Sequence, residues 1–190
     1  MNINSILDNI GKVIVGKEDV TQKVLTSILA GGHVLLEDVP GTGKTMLAKS
    51  VAKSIDCEFK RIQFTPDLLP SDITGLHIYN QKSGDFTLNK GPVFANIILA
   101  DEINRATPRI ATENPVETAG TYPLPEAQLD RFLMKLEMGY PDKNAEVEIL
   151  NRFLSDNPIT ELGSVCKKQD IIDMKKQAKE VYIHPALIEY

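Results

Sequence analysis

Over residues 18–29 the apolar side chains Val20, Val24, Leu25, Ile28 and Leu29 return at helical spacing, and Gly31 and Gly32 then supply a stop. A helix with one buried face is predicted there. Residues 33–37 read as a short strand, "DVPGTG" as a loop, and "KTMLAKSVAKSI" as a second helix with Leu47, Val51 and Ile55 on one stripe. A second strand is predicted over 58–64. After a proline-rich loop, "GLHIYNQKSGDFTLN" reads as two short strands around a Ser83-Gly84 turn. The run 97–100 is continuously apolar, the pattern of a strand buried on both faces of a parallel sheet. Further on, "PEAQLD" reads as a short helix passing into the strand-like "FLMKLEM".

Strands alternating with helices imply an α/β fold built on a parallel sheet flanked by helices. After Met138 the pattern changes. Pro141 and Asp142 open "DKNAEVEILNRFL", and "DIIDMKKQAKEVYI" follows; both are amphipathic and neither carries a strand signal. The expected division is an α/β domain over 1–139 and a small helical domain over 140–190, without internal repeats or low-complexity tracts.

Composition narrows the function classes. The 190 residues are 42% hydrophobic and 25% charged, which suits one substantial folded core with a small appendage. A net charge of −5 and a pI near 5.3 provide no basic footprint for a nucleic-acid duplex. Cys57 and Cys166 stand without a CxxC pair or a His at ligand spacing, so both are expected to be reduced, buried thiols. His33, His77 and His184 are isolated and read as structural. No apolar run approaches the roughly 18 residues of a membrane span, and "MNINSILDNI" has no signal-peptide character, so the expectation is a soluble, cytoplasmic protein without membrane insertion.

"DVPGTGKT", residues 38–45, matches the phosphate loop GxxxxGK[ST] except that Asp38 stands at its first glycine. In such a loop, backbone N–H groups and a helix N-terminus wrap the phosphates. Lys44 would meet the β and γ charges, and the Thr45 hydroxyl would ligate Mg²⁺. Pro40, Gly41, Thr42, Gly43, Lys44, Thr45 and Met46 are therefore the candidate nucleotide contacts. The alternative is a glycine turn that merely joins a strand to a helix.

The run "IILADEINRATPRIATENPVE", residues 97–117, ends its apolar stretch in two carboxylates. A Mg²⁺ nucleotide needs a carboxylate behind the metal, and hydrolysis needs a group that positions water. Asp101 suits the first role and Glu102 the second. Alone, an acidic pair at a strand end is weak, since carboxylates also mark solvated strand ends and helix caps.

Taken with "VIVGKEDV", "GGHVLLEDVPGTGKT", "FKRIQFTPDLLPSDITG", "GPVFANIILADEINRATP", "IATENPVETAGTYPLPEAQLDRF" and "GYPD", these residues resemble the AAA+ ATPases and, within them, the MoxR family. The likeness extends over essentially the whole chain. It implies a P-loop α/β domain followed by a truncated all-α lid, ATP/ADP and Mg²⁺ as cofactors, and Val15 and Gly16 as adenine contacts. It further implies Asp101 and Glu102 as the Walker B pair, Asn114 as the sensor of the attacking water, and Arg131 as an arginine finger reaching the next subunit's nucleotide. From the residues alone, Asn114 precedes a proline and could be a turn residue, and Arg131 could pair with Asp130 or cap its helix.

Spacing raises one conflict. In this fold the Walker B strand and the strand ending in "IAT" are parallel neighbours, and a parallel crossover takes a dozen or more residues. Only seven residues, 103–109, separate them. The family carries a helix and a β-hairpin at this point, so a segment is expected to be missing between Arg109 and Ile110, which then would not be covalent neighbours. The ending "HPALIEY" likewise reads as a helix cut short, with any second sensor arginine further on.

The resemblance implies an ATPase that assembles as a homo-oligomeric ring, taken as hexameric, and remodels or matures protein complexes. A von Willebrand factor A domain protein is a candidate client. The hairpin "YNQKSGDF" corresponds to the family's insert near helix 2, which would face a substrate; the alternative is an exposed hairpin without a special role. Two other classes remain: a nucleic-acid-dependent AAA+ motor, disfavoured by the acidic balance, and a non-hydrolysing nucleotide switch, disfavoured by Glu102 together with Arg131.

Overall fold

The computed structural model describes residues 2–37, 41–82, 84–105, 124, 126–154 and 157–181. In chain order the elements are α1 (Ile3–Gly11), α2 (Glu18–Ala30), β1 (Val34–Leu36), α3 (Lys44–Ser54), β2 (Phe59–Gln63), α4 (Pro70–Thr74), β3 (Gly75–Asn80) and β4 (Asp85–Lys90). Then follow β5 (Ile97–Asp101), α5 (Glu126–Leu129), β6 (Met134–Leu136), α6 (Lys143–Phe153), α7 (Pro158–Glu161) and α8 (Lys168–Lys179). Short 3₁₀ turns stand at Pro92–Phe94 and Ile103–Arg105.

The chain divides into two compact units, Met1–Asp56 with Asp130–Tyr190, and Cys57–Leu129. In the first, β1 and β6 pair in parallel, with Val34 opposite Met134 and Leu36 opposite Leu136. Lys135 lies 2.5 Å from Glu37 just beyond β1, and that carboxylate holds its ammonium above the ordinary lysine range. The core gathers Ile6 and Ile10 of α1, Leu25 of α2, and the expected stripe Leu47, Val51 and Ile55, each of the last three only 1% exposed. Burying each of those side chains contributes about 1.5–3 kcal/mol.

Among the described residues after Met138, the regular elements are all helices. Its first helix begins where the sequence placed it, because the Asp142 side chain accepts a 2.8 Å hydrogen bond from the Ala145 N–H and closes the first turn of α6. Asp142→Ala is expected to lower stability by about 1 kcal/mol, read as a shift in the urea midpoint at unchanged slope. An unchanged midpoint would show the cap to be idle.

In the second unit β2 and β5 pair in parallel, with Phe59 opposite Ile97 and Gln63 opposite Asp101. β3 and β4 form the expected antiparallel hairpin around Gly84. At its root the two strands and α4 lie backbone against backbone. A Cβ added at Gly75 would stand 2.0 Å from the Asn89 carbonyl oxygen, and one at Gly91 would stand 2.3 Å from that of Ile73. Only glycine fits at either position.

The parallel strands expected of the fold are present, and among the described residues they pair as β1 with β6 and β2 with β5. Two expectations are corrected. β5, expected to be buried on both faces, is half-buried and alternately exposed, because β2 is its only strand partner among those residues. Cys57, expected to be buried, is half-exposed in the connection before β2, whereas Cys166 is buried as expected. The "IAT" segment, the Arg109–Ile110 junction, Asp38 and His184 lie outside the described residues.

Candidate nucleotide site

The first unit contains a cavity of about 560 Å³, within the range of small-molecule sites. One wall is the phosphate loop: Gly41, Thr42 and Gly43, with Met46 one turn into α3. Gly41 and Gly43 have φ of +90° and +92°, which side chains rarely adopt, and Gly43 is the N-cap of α3. A Cβ built at Gly41 would meet nothing within 4 Å, so the glycine leaves the backbone open to an approaching group. Lys44 and Thr45 form the first turn of that helix, where the N–H groups and the dipole favour an anion.

The remaining walls are mostly apolar, with the charged residues Lys17 and Glu146 also in the lining. Val13, Ile14 and Val15 close one side after α1, Met138, Tyr140 and Pro141 another, and Ile149, Leu150 and Phe153 of α6 a third. Anion-binding backbone at one end and apolar side chains at the other suit a phosphate group attached to an aromatic base. Val15 is thus a wall residue, whereas Gly16 is not. Gly16 has φ +67°, and its Cβ would stand 3.4 Å from the Ala145 Cβ, so it serves close packing of the 13–17 segment on α6. The α6 wall was not singled out from the sequence; the helical recurrence of Ile149, Leu150 and Phe153 was its available signal.

A second cavity, of about 620 Å³, lies along the hairpin between 78–82 and 87–89. Unlike the first cavity, it is not lined by the phosphate loop.

In the second unit, Asp101 ends β5 and Glu102 follows at φ +56°, the left-handed region that costs a non-glycine residue on the order of 1 kcal/mol. Glu102 Oε2 is buried without a hydrogen bond; Arg105 Nη1 lies 3.2 Å away as an ion pair but outside hydrogen-bond geometry. A strained backbone holding an under-used carboxylate oxygen fits a group that acts on something outside the protein. Asp101 Oδ2 accepts from Arg61 Nε at 3.1 Å and is also met by Arg61 Nη2. The β2–β5 register creates that pair, which sequence reasoning did not find. Among the described residues no three His, Cys, Asp or Glu side chains cluster as a metal cage. Mg²⁺ does not require one, since it is commonly held by one or two protein ligands together with substrate phosphates.

Arg131 lies in the turn between α5 and β6 and is exposed. Among the described residues the arginine ion pairs involve Arg61, Arg105 and Arg152, so the alternative pairing of Arg131 with Asp130 is not formed. Pro40 and Asn114 lie outside the described residues. No described helix is long and apolar enough to cross a membrane.

The sequence matches the profile of the ATPase family associated with various cellular activities (AAA) in two stretches, residues 33–111 and 109–134. The uncharacterized protein YeaC of Bacillus subtilis is 46% identical over 217 residues, an alignment covering 99% of this chain and 68% of that protein. Chaperone MoxR1 of Mycobacterium tuberculosis is 38% identical over 208 residues, covering 94% of this chain and 55% of that one. A crystal structure from Cytophaga hutchinsonii, of a protein assigned as an ATPase, superposes with a TM-score of 0.86 at 40% identity, over 99% of this chain and 66% of its own. The chain therefore spans roughly half to two thirds of the length of these relatives.

Proposed function

Because the chain belongs to the MoxR family of AAA+ ATPases, we propose that it binds ATP with Mg²⁺ in the cavity of its first unit and hydrolyses it to ADP and phosphate. The observation that carries this reading is the cavity itself, with the Gly41–Gly43 backbone and the start of α3 at one end and apolar walls at the other. Loop N–H groups hold the phosphates, Lys44 meets the β and γ charges, and Val15 with the α6 wall encloses the base. By the family likeness, Thr45 and Asp101 are the residues that would hold Mg²⁺, which would supply positive charge against the phosphates. By the same likeness, Glu102 would orient the attacking water and accept its proton, Asn114 would act as the sensor of that water, and Arg131 would serve the neighbouring subunit's nucleotide.

We place residues 140–190 as a helical lid and a missing crossover between Arg109 and Ile110. The profile matches on either side of that junction, and the Bacillus alignment, at 217 residues, is longer than the 190-residue chain. AAA+ proteins commonly form rings, and one relative is named a chaperone. The larger activity proposed is accordingly a cytoplasmic homo-oligomeric ring, hexameric, that remodels protein clients, with von Willebrand factor A domain proteins as candidates.

Lys44→Ala tests the site. Nucleotide phosphates lose a charge-assisted partner while the loop backbone is untouched, so calorimetry should show ATP affinity falling at least about a hundredfold. Undiminished affinity would reject the phosphate-loop assignment.

A further inference from the structure

The first unit also contains a buried polar knot, none of whose residues lines the cavity. Asn9 of α1 is 3% exposed, and Ser54, the last residue of α3, is fully buried. The Asn9 side-chain amide donates to Ser54 Oγ at 3.0 Å and to the Gly163 carbonyl at 2.9 Å, while its own oxygen accepts from Lys12 Nζ at 3.1 Å. The Ser54 carbonyl in turn accepts from the Val165 N–H at 3.0 Å. One side chain therefore joins three pieces of chain, and each piece leads to a different wall. α1 runs directly into 13–15, α3 begins at the phosphate loop, and the 162–166 connection belongs to the helical segment that carries α6.

Two exposed or half-exposed contacts run in the same direction. Lys53 Nζ donates to the carbonyls of Ile159 and Thr160 at 2.7 and 3.0 Å, and Arg152 of α6 donates to the Gly11 carbonyl at 2.7 Å. Those are long, solvated side chains that can re-form after a small shift. Asn9 cannot: its amide is short, enclosed and already committed to two acceptors, so a lid displaced by an ångström leaves buried polar groups without partners.

We infer that Asn9 is a positioning residue for nucleotide binding, fixing the α6 wall against the 13–15 wall and so setting the width of the base-binding end. The inference rests on the nucleotide site proposed above. It makes no claim on the phosphate end, whose loop geometry is set by its own glycines.

That separation supplies the test. In the full-length protein, binding of MgATP and of magnesium tripolyphosphate, which has phosphates but no base, is measured by calorimetry for wild type, Asn9→Leu and Ser54→Ala. Asn9→Leu keeps the branched shape and removes every hydrogen bond made by the Asn9 side chain. ATP affinity should fall about tenfold, the scale of one lost buried hydrogen bond, with tripolyphosphate affinity unchanged within about twofold. Ser54→Ala keeps the Asn9–Gly163 bond and should show the same split at roughly a third of the size, which preserves the test if Asn9→Leu does not fold. Equal losses for both probes would assign Asn9 a merely structural role and overturn the inference, as would no loss for either. Wild type that binds tripolyphosphate but not ATP overturns it as well. Wild type that binds neither removes the underlying nucleotide site first, and the inference with it.

Discussion

Replacing Arg131 by alanine is expected to remove nearly all ATP turnover, by about 10³- to 10⁵-fold, the worth of an arginine that meets transition-state charge from a neighbouring subunit. Folding and nucleotide affinity should barely change. Arg131 is exposed in a turn and is absent from the arginine ion pairs formed among the described residues, so its removal breaks no described salt bridge. Melting temperature and ATP affinity measured beside turnover separate this from a folding defect. Mixing decides whether the arginine acts in trans. Arg131→Ala subunits retain Glu102 and Glu102→Gln subunits retain Arg131, so a mixed ring contains some interfaces where both are intact. Activity should partly return. Mixed oligomers that form and stay inactive would leave Arg131 with a local role near Asp130.

Glu102→Gln is expected to bind ATP normally and to lose about 10²- to 10⁴-fold in turnover, the usual reach of a positioned acid–base group. The substitution keeps shape and φ, so the left-handed backbone at 102 stays as it is. It removes the negative charge that faces Arg105 at 3.2 Å, but that arginine is 52% exposed, and a pair with so solvated a partner contributes little to stability. What is lost is proton acceptance by an oxygen that is buried and without a hydrogen bond. The variant should accumulate as an ATP-loaded form, which also makes it the reagent for capturing a client protein. Turnover near wild type would move the water-positioning role elsewhere.

The parts of this molecule that could be read in its sequence are those where a local rule acts alone. The α3 stripe followed from helical period, and the hairpin from two strand patterns around Ser83-Gly84. The phosphate loop followed from residue spacing, and the start of α6 from one capping carboxylate. What stayed hidden depends on partners distant in sequence. An apolar stripe such as Ile149, Leu150 and Phe153 looks the same whether it faces a core or a ligand. Arg61 resembles any solvated strand arginine until the β2–β5 register sets it beside Asp101. The apolar run of β5 announced a strand correctly but not how many neighbours cover it. The close approach of Gly16 to Ala145 of α6 likewise joins residues far apart in the chain.

Gly75 and Gly91 give the second unit a mechanical character. With backbone set directly on backbone at that root, and the Gly91 N–H bonded to the Thr74 carbonyl at 3.3 Å, the hairpin has no cushion of side chains there to compress. It is a cantilever clamped at its base, with Tyr79 and Phe86, rings 5.3 Å apart, stiffening the span toward the tip. The clamp passes through the short turn Pro92–Phe94 straight into β5, the strand that ends in Asp101 and Glu102. Only the short stretch 91–96 separates the clamped end of the hairpin from the strand that carries the carboxylate pair.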